Sequence, residues 1–394
     1  MNTTHRSNID ARRITDDDGQ FFFAYYDKLQ FDPSDRYVLA MKAACIDRAP
    51  KRDDALELGM IDLHDDDQWI PFDSTSAWCW QQGCMLQWIP NRRFHIIYNI
   101  RGEQRYESIV RHPLTSAAYR LPRAIYALHP GGNEAICNDF ARVNHLRPGY
   151  GYEGFADPNH NAAVPDDTGL WRMNLNTGQS DLIINIAQAA HIDPYPTMRA
   201  GRHWFNHALY NPDGSRFVFL HRWECDGRFL GRMITAAPDG SNMRRVFDAA
   251  DPDSYNPSHF WWIDAHRILL WAVRPDGSDG AYRIVDERTG EWRAIDPARL
   301  DCDGHMSICP TYPDWMLSDT YPDARNRRCL FLYHLPTGAR VDLGAFDAGP
   351  HGQTPLRCDL HPRWNRAGTH ITIDSVHEGF RGIYLLDVSP ITAA

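Results

Sequence analysis

Nothing in this 394-residue sequence approaches the ~18–20 consecutive apolar residues that a membrane-spanning helix requires. The opening residues, Met1-Asn-Thr-Thr-His-Arg-Ser-Asn, are polar and hold no apolar core of the signal-peptide kind, so a cytoplasmic protein, or a mature form that has lost its leader, is expected, without a membrane partner. Positive charge is in deficit, 41 Lys+Arg against 51 Asp+Glu, which removes the basic face that a nucleic-acid partner would need. An anionic small substrate stays open, because a local arginine cluster can sit inside an acidic envelope. Nine cysteines include no CxxC pair, and several lie in apolar runs, as Cys84 does in Gly-Cys-Met-Leu-Gln-Trp. Buried free thiols are therefore expected rather than a disulfide framework. The signatures of several enzyme classes are missing too: no GxSxG elbow, no GxxxxGK[ST] loop, no HExxH. Gly149-Tyr-Gly-Tyr-Glu-Gly meets a GxGxxG pattern in form only, since it follows Arg-Pro with no helix to open, and no nucleotide cofactor is expected. Helical periodicity is scarce, with residues 184–190 the best candidate for a turn or two.

What is present is a globular composition, 43% hydrophobic and 12% aromatic, and a repeated phrase. A polar or aromatic run leads into a Pro-Asp-Gly-like turn and then into alternating hydrophobics. Tyr210-Asn-Pro-Asp-Gly-Ser-Arg-Phe-Val-Phe-Leu is the clearest copy. Seven copies can be placed, anchored at Pro33, Pro90, Pro130, Pro212, Ile263, Pro310 and Arg366. A second phrase, a strand ending in Thr-Gly, follows three of them at Leu175-Asn-Thr-Gly, Glu287-Arg-Thr-Gly and Leu335-Pro-Thr-Gly. Tight turns between short strands, repeating every ~40–55 residues, are the mark of propeller blades. The expectation is an all-β, seven-bladed β-propeller with four-stranded blades, one domain over residues 1–394. Residues 20–26 would hold the inner strand of the first blade, and residues 12–15 would complete the last. The widest gap between anchors contains an inserted loop at about residues 138–167, expected over the central channel.

In a propeller the innermost strand of each blade precedes the turn phrase and faces the axis. His207, His305 and His361 each stand five residues before an anchor, and His259 stands four before. Asp359 lies two residues before His361, on the same face of a strand. With 19 His in 394 residues, three at one offset are hard to attribute to chance. Such a set suits a divalent cation such as Mn²⁺, Ca²⁺ or Zn²⁺, and equally suits hydrogen bonding around a water-filled channel. The inserted loop carries Arg142, His145, Arg147, Tyr150 and Tyr152 around a Pro/Gly-stiffened turn. Arginine offers a planar fork for carboxylates, and tyrosine a stacking face with a hydroxyl. Tyr26, Gln81, Gln82, Asn206 and Arg222 stand in further aromatic-polar phrases of the kind a saccharide site needs.

Four phrases, Asn206-His-Ala-Leu-Tyr-Asn-Pro-Asp-Gly, Ser258-His-Phe-Trp-Trp, Asp303-Gly-His-Met-Ser and Asp359-Leu-His-Pro-Arg-Trp, resemble the inner-strand histidine phrases of the seven-bladed propeller polysaccharide lyases, above all the oligogalacturonate lyase family. That resemblance implies an acidic oligosaccharide substrate, a histidine base at His259, and metal ligands at His305 and His361. Asp359 stands where the family has a third metal histidine, and Leu356, which cannot ligate, falls near its glutamine ligand. The Arg-Pro-Gly-Tyr-Gly-Tyr loop is instead similar to related propeller lyases that cleave rhamnosyl-glucuronate or ulvan-type linkages, which use His, Tyr and Arg.

The implied reaction is β-elimination at a 4-linked uronic acid, giving a 4,5-unsaturated product. Arg147 or Arg222 would neutralise the carboxylate. His207, His259 or Tyr150 would take the C5 proton, and a His or Tyr partner would protonate the leaving oxygen. Two other readings stand beside it. One is a non-catalytic TolB-like propeller that binds a glycan or a protein. The other is a glycoside hydrolase built on two of Asp27, Asp139 and Asp359.

Overall fold

The computed structural model describes residues 5–6, 9–23, 25–44, 47–247, 255–352 and 354–393. Ala24, inside the run expected to form the first inner strand, lies outside them. Among the described residues the strands form seven sheets, six of four strands and one of five. All seven sequence anchors fall between the first and second strands of a blade; Pro212, for example, lies between Arg202–Tyr210 and Phe217–Cys225. The three Thr-Gly phrases fall between third and fourth strands. The chain is thus an all-β, seven-bladed propeller forming one domain.

The turn chemistry explains the match. In the blade-four turn the Asn211 amide donates to Arg216, and the Gly214 amide donates to Asn211 at 3.0 Å. Gly214 has φ of +74°, and a Cβ there would lie 2.1 Å from His129 Nε2 on blade three. Only glycine fits such a left-handed position. The middle strands then bury both faces, one against each neighbouring blade: Phe217 and Phe219 join one cluster and Val218 and Leu220 the next, so the core is a chain of apolar clusters between blades rather than one centre.

The ring closes as the sequence indicates. Arg12–Arg13 pairs antiparallel with Gly382–Asp387 as the outer strand of blade seven, and Gln20–Phe22 is the inner strand of blade one. His5–Arg6 also adds, in parallel, to the outer strand of blade six, Ala339–Asp347. The helical turn expected over residues 184–190 is present as Ile186–His191, capped by Asn185.

Two local features depart from expectation. The insertion between the second and third strands of blade three holds its own helix, α1 (Phe140–Leu146), whose first amides are capped by the Asp139 carboxylate. And Asp359 and His361 do not lie on a regular strand. The ladder of blade seven starts at Arg363, and His361 takes a left-handed φ of +41°. Two-residue alternation therefore does not apply there.

Candidate functional site

Two of the axial histidines, His207 and His259, owe their position to breaks in strand register, while His305 and His361 stand just ahead of the first strands of blades six and seven. In blade four the ladder skips between Asn206 and Ala208, leaving His207 as a bulged residue with φ of +47°. In blade five it skips between Pro257 and Phe260, freeing Ser258 and His259. Bulges of this kind turn a side chain out of the sheet plane, here toward the axis. A non-glycine residue in the left-handed region costs about 1 kcal/mol or more, a strain that surrounding packing must hold in place.

The four rings meet around Tyr25, which follows the inner strand of blade one. Its ring centre lies 5.0 Å from His207, 5.1 Å from His361, 6.0 Å from His305 and 6.3 Å from His259. Tyr26 packs beneath, its hydroxyl donating to the Phe260 carbonyl at 2.9 Å.

Each imidazole has a distinct partner. His259 Nδ1 lies 2.9 Å from Asp303 Oδ1, while the other oxygen of Asp303 accepts from Ser258 Oγ at 2.8 Å. His305 Nδ1 lies 3.0 Å from Asp319, which also accepts from the His305 amide. His207 stacks on Phe260 and places Nε2 3.3 Å from Asp27, itself paired with the buried Lys28. Burial lowers the pKa of His207 to about 4 and also lowers His259 and His361. Those three rings are neutral at pH 7 and can accept a proton.

Asp359 is gripped from both sides. Arg357 Nε reaches one oxygen and Arg328 Nη2 the other, each at 2.8 Å. Burial pushes this carboxyl up, but the two guanidiniums outweigh it and hold it at about 2. Arg357 also donates through Nη2 to Tyr150 Oη at 2.8 Å. Burial raises the Tyr150 phenol, yet Arg357 and then Arg147 bring it below the usual tyrosine value.

A cavity of about 190 Å³ opens beside the ring, with Tyr25, Arg147, Tyr150, His207, Arg222 and His259 in its wall, together with Asn206, Asp303, Tyr321 and apolar neighbours such as Phe229 and Trp271. Arg222 donates to Asn256 and to the Pro257 carbonyl. Arg147 lies over the Tyr150 and Phe229 rings. The Nε of each guanidinium is buried without a hydrogen-bond partner, and among the described residues neither has a carboxylate within ion-pair distance. Burial, then the charge of Arg147, lowers Arg222 to about 10. Two cations at one wall with no anion between them form a site for an anion.

The structure thus brings His207, His259, Tyr150, Arg147, Arg222 and Asn206 to one cavity, and His305, Asp359 and His361 to the ring beside it. Other candidates stand elsewhere. Arg142 directs its guanidinium to the His203, Asn159, Ala162 and Ala163 carbonyls and to Asp157, pinning the insertion. Tyr152 is fully buried, stacked on Phe140 at 4.3 Å and accepting from Asn99. Tyr26 is covered by the Phe260 backbone. Gln82 donates to Tyr126, and Gln81 donates to the Pro355 and Arg357 carbonyls, so it steadies Arg357. His145 lies in a separate hollow with Asn144, Glu153 and His160. Sequence reasoning did not reach Asp303, Tyr321, Arg328 or Arg357. Asp303 lies two residues before His305 and Arg357 two before Asp359, a spacing that marks those two, while no sequence signal marks Tyr321 or Arg328.

Metal binding can be judged from the residues themselves. The ligand atoms of His305, Asp359 and His361 lie within 4.8 Å of one another, so by spacing the three could bind a metal ion. Both imidazole Nε2 atoms are buried without hydrogen-bond partners, which also suits ligands. Charge does not suit it. Asp359 already faces two guanidiniums, and Asp319 is engaged with His305, so the four charged groups sum to zero before an ion arrives. At ~5 Å and an effective dielectric of ~20, each guanidinium would repel a dication by ~7 kcal/mol, cancelling what a carboxylate at that distance contributes. With no net negative charge among these four groups, the set offers a divalent cation little electrostatic compensation for its dehydration.

No protein-family model matches the sequence, and no curated protein does. Solved structures are similar in fold. An oligogalacturonate lyase in complex with manganese aligns at 17% identity with a TM-score of 0.69, covering 98% of this chain and 95% of that one. An oligogalacturonate lyase from Vibrio parahaemolyticus aligns at 14% identity with a TM-score of 0.65, covering 98% and 96%. A GH74 xyloglucanase from Xanthomonas campestris aligns at 14% identity with a TM-score of 0.51, over 98% of this chain and 55% of that one. The chain is therefore a seven-bladed propeller that structurally resembles oligogalacturonate lyases at low sequence identity.

Proposed function

We propose that this protein is a lyase that cleaves a 4-linked uronic acid glycosidic bond by β-elimination. One observation carries the reading. Arg147 and Arg222, without a carboxylate partner among the described residues, face the same small cavity as the neutral, carboxylate-backed His259 and the arginine-bound Tyr150. Elimination needs these parts: an anion site for the carboxylate, a base for the α-proton and an acid for the leaving oxygen. The likeness to oligogalacturonate lyases agrees with it.

In the proposed reaction the uronate carboxylate lies on Arg147 and Arg222. Their charge stabilises the carbanion that develops when the C5–H bond breaks. His259 takes that proton on Nε2, its Nδ1–H held by Asp303, which stabilises the imidazolium. The C5 electron pair forms the C4=C5 double bond as the C4–O bond breaks. Tyr150, made more acidic by Arg357 and Arg147, gives its proton to the departing oxygen. Both residues then exchange protons with solvent. The products are a 4,5-unsaturated uronate and a free hydroxyl, and no water is consumed.

The carboxylates do not support a hydrolase. Asp27 is paired with Lys28, Asp139 caps α1, and Asp359 is clasped by two arginines. The test is a panel of oligosaccharides with 4-linked glucuronate or galacturonate, followed by the ultraviolet absorbance of the conjugated product. Wild type is expected to raise it, and His259→Ala and Tyr150→Phe to lose at least ~100-fold in rate while keeping wild-type circular dichroism. No rise on any member, or full activity in both variants, would sink the reading.

A further inference from the structure

We infer that Arg328 and Arg357 occupy, in charge, the place of a divalent cation in this propeller, so that its axial site works without a bound metal. The inference does not depend on the lyase reading, because its readout is metal content. Asp359, Arg328 and Arg357 are all buried, so their interaction is little screened by solvent. The two guanidiniums take opposite oxygens of the one carboxylate, which leaves a metal ion no oxygen free of a cation. Tyr321 fixes both of them, its ring centre 5.6 Å from the Arg328 guanidinium and 5.8 Å from that of Arg357. Gln81, hydrogen-bonded to the Arg357 carbonyl, anchors the same segment from blade two.

The positive charge is also put to use: Arg357 continues from Asp359 to the Tyr150 oxygen, which carries it to the cavity wall. A dication would deliver charge to the same place. Here a covalently tethered cation does so, with directional hydrogen bonds that a metal would not supply.

The test uses the full chain, purified without chelator and incubated with Mn²⁺, Zn²⁺ or Ca²⁺ before gel filtration. Elemental analysis is expected to find well under ~0.1 ion per chain, and chelator is expected to leave the melting temperature unchanged. Arg328→Gln and Arg357→Gln should each raise Mn²⁺ affinity, read by the loss of the free-ion resonance signal, by at least about tenfold, the bulk-water limit for a dication a few ångströms from a unit charge. About one ion per wild-type chain, with a fall in melting temperature on chelation, overturns the inference. Folded variants that bind Mn²⁺ no better than wild type also overturn it, since the arginines would then not be what excludes the ion. Should neither variant fold, the wild-type measurement decides alone.

Discussion

Replacing Asp303 by asparagine isolates the backing of the proposed base. Asp303 Oδ1 lies 2.9 Å from His259 Nδ1, and Ser258 holds its other oxygen, so the carboxylate has a fixed orientation. Asparagine keeps the shape and an acceptor oxygen but removes the charge. A hydrogen bond to a charged group is worth ~1.5–3 kcal/mol against ~0.5–1.5 for a neutral one. The imidazolium formed as the substrate proton arrives should therefore lose ~1–2 kcal/mol, a fall in kcat of ~5–30-fold. KM should change little if the carboxylate of the substrate lies on Arg147 and Arg222 rather than near Asp303. The pH profile gives a second readout. Burial lowers His259 and Asp303 acts against it, so removing the charge lowers the ring further and moves the acid limb of kcat/KM to lower pH. Initial rates of unsaturated product across pH, for wild type and variant, measure both. A kcat within twofold of wild type with an unmoved acid limb would refute the role of Asp303. A raised KM at unchanged kcat would make it a substrate contact instead.

Two further outcomes follow from the same geometry. Arg222→Lys keeps a cation but loses the fork that Asn256 and Pro257 orient, so kcat/KM on uronate substrates should fall ~10–100-fold, with less effect on the melting temperature than Arg222→Ala. Stability should fall in acid between about pH 6.5 and 4. His203 and His207 are both lowered to about 4 by burial, so in that window the unfolded chain binds protons that the native state refuses, and stability rises with pH. Each ring adds up to ~1.4 kcal/mol per pH unit, readable from denaturant midpoints, and His207→Phe should flatten the slope. A slope unchanged in that variant would show that His207 titrates as freely in the native state as in the unfolded chain.

The blades were legible because each is announced by its own turn: Pro212-Asp-Gly needs its backbone angles whatever surrounds it, and the β-branched and aromatic run after it carries the strand. The histidines were legible for the same reason, since each stands a fixed distance before a local turn, on the inner strand or just ahead of it. What could not be read was contact between distant blades. Tyr150 from the insertion meets Arg357 from blade seven, 207 residues away, and Arg328 reaches Asp359 from blade six. Nor does a sequence announce a bulge, so the left-handed turns at His207 and His361 were invisible. Arg142 misled because its residue type and loop are right; only the carbonyls around it show that its donors face inward.

Near the start of the chain the described residues touch three successive blades: His5–Arg6 on blade six, Arg12–Arg13 on blade seven and Gln20–Phe22 in blade one. This stitching makes the order of assembly a property of the site. Most blades can pair from neighbouring sequence, whereas this seam joins residues more than 300 positions apart and so waits for nearly the whole chain. Tyr25 hangs directly from that seam. The histidines of blades four to seven therefore have no common centre until the seam has formed. Loosening it, for instance by a proline at Arg13, should scatter the four rings before it unfolds any blade.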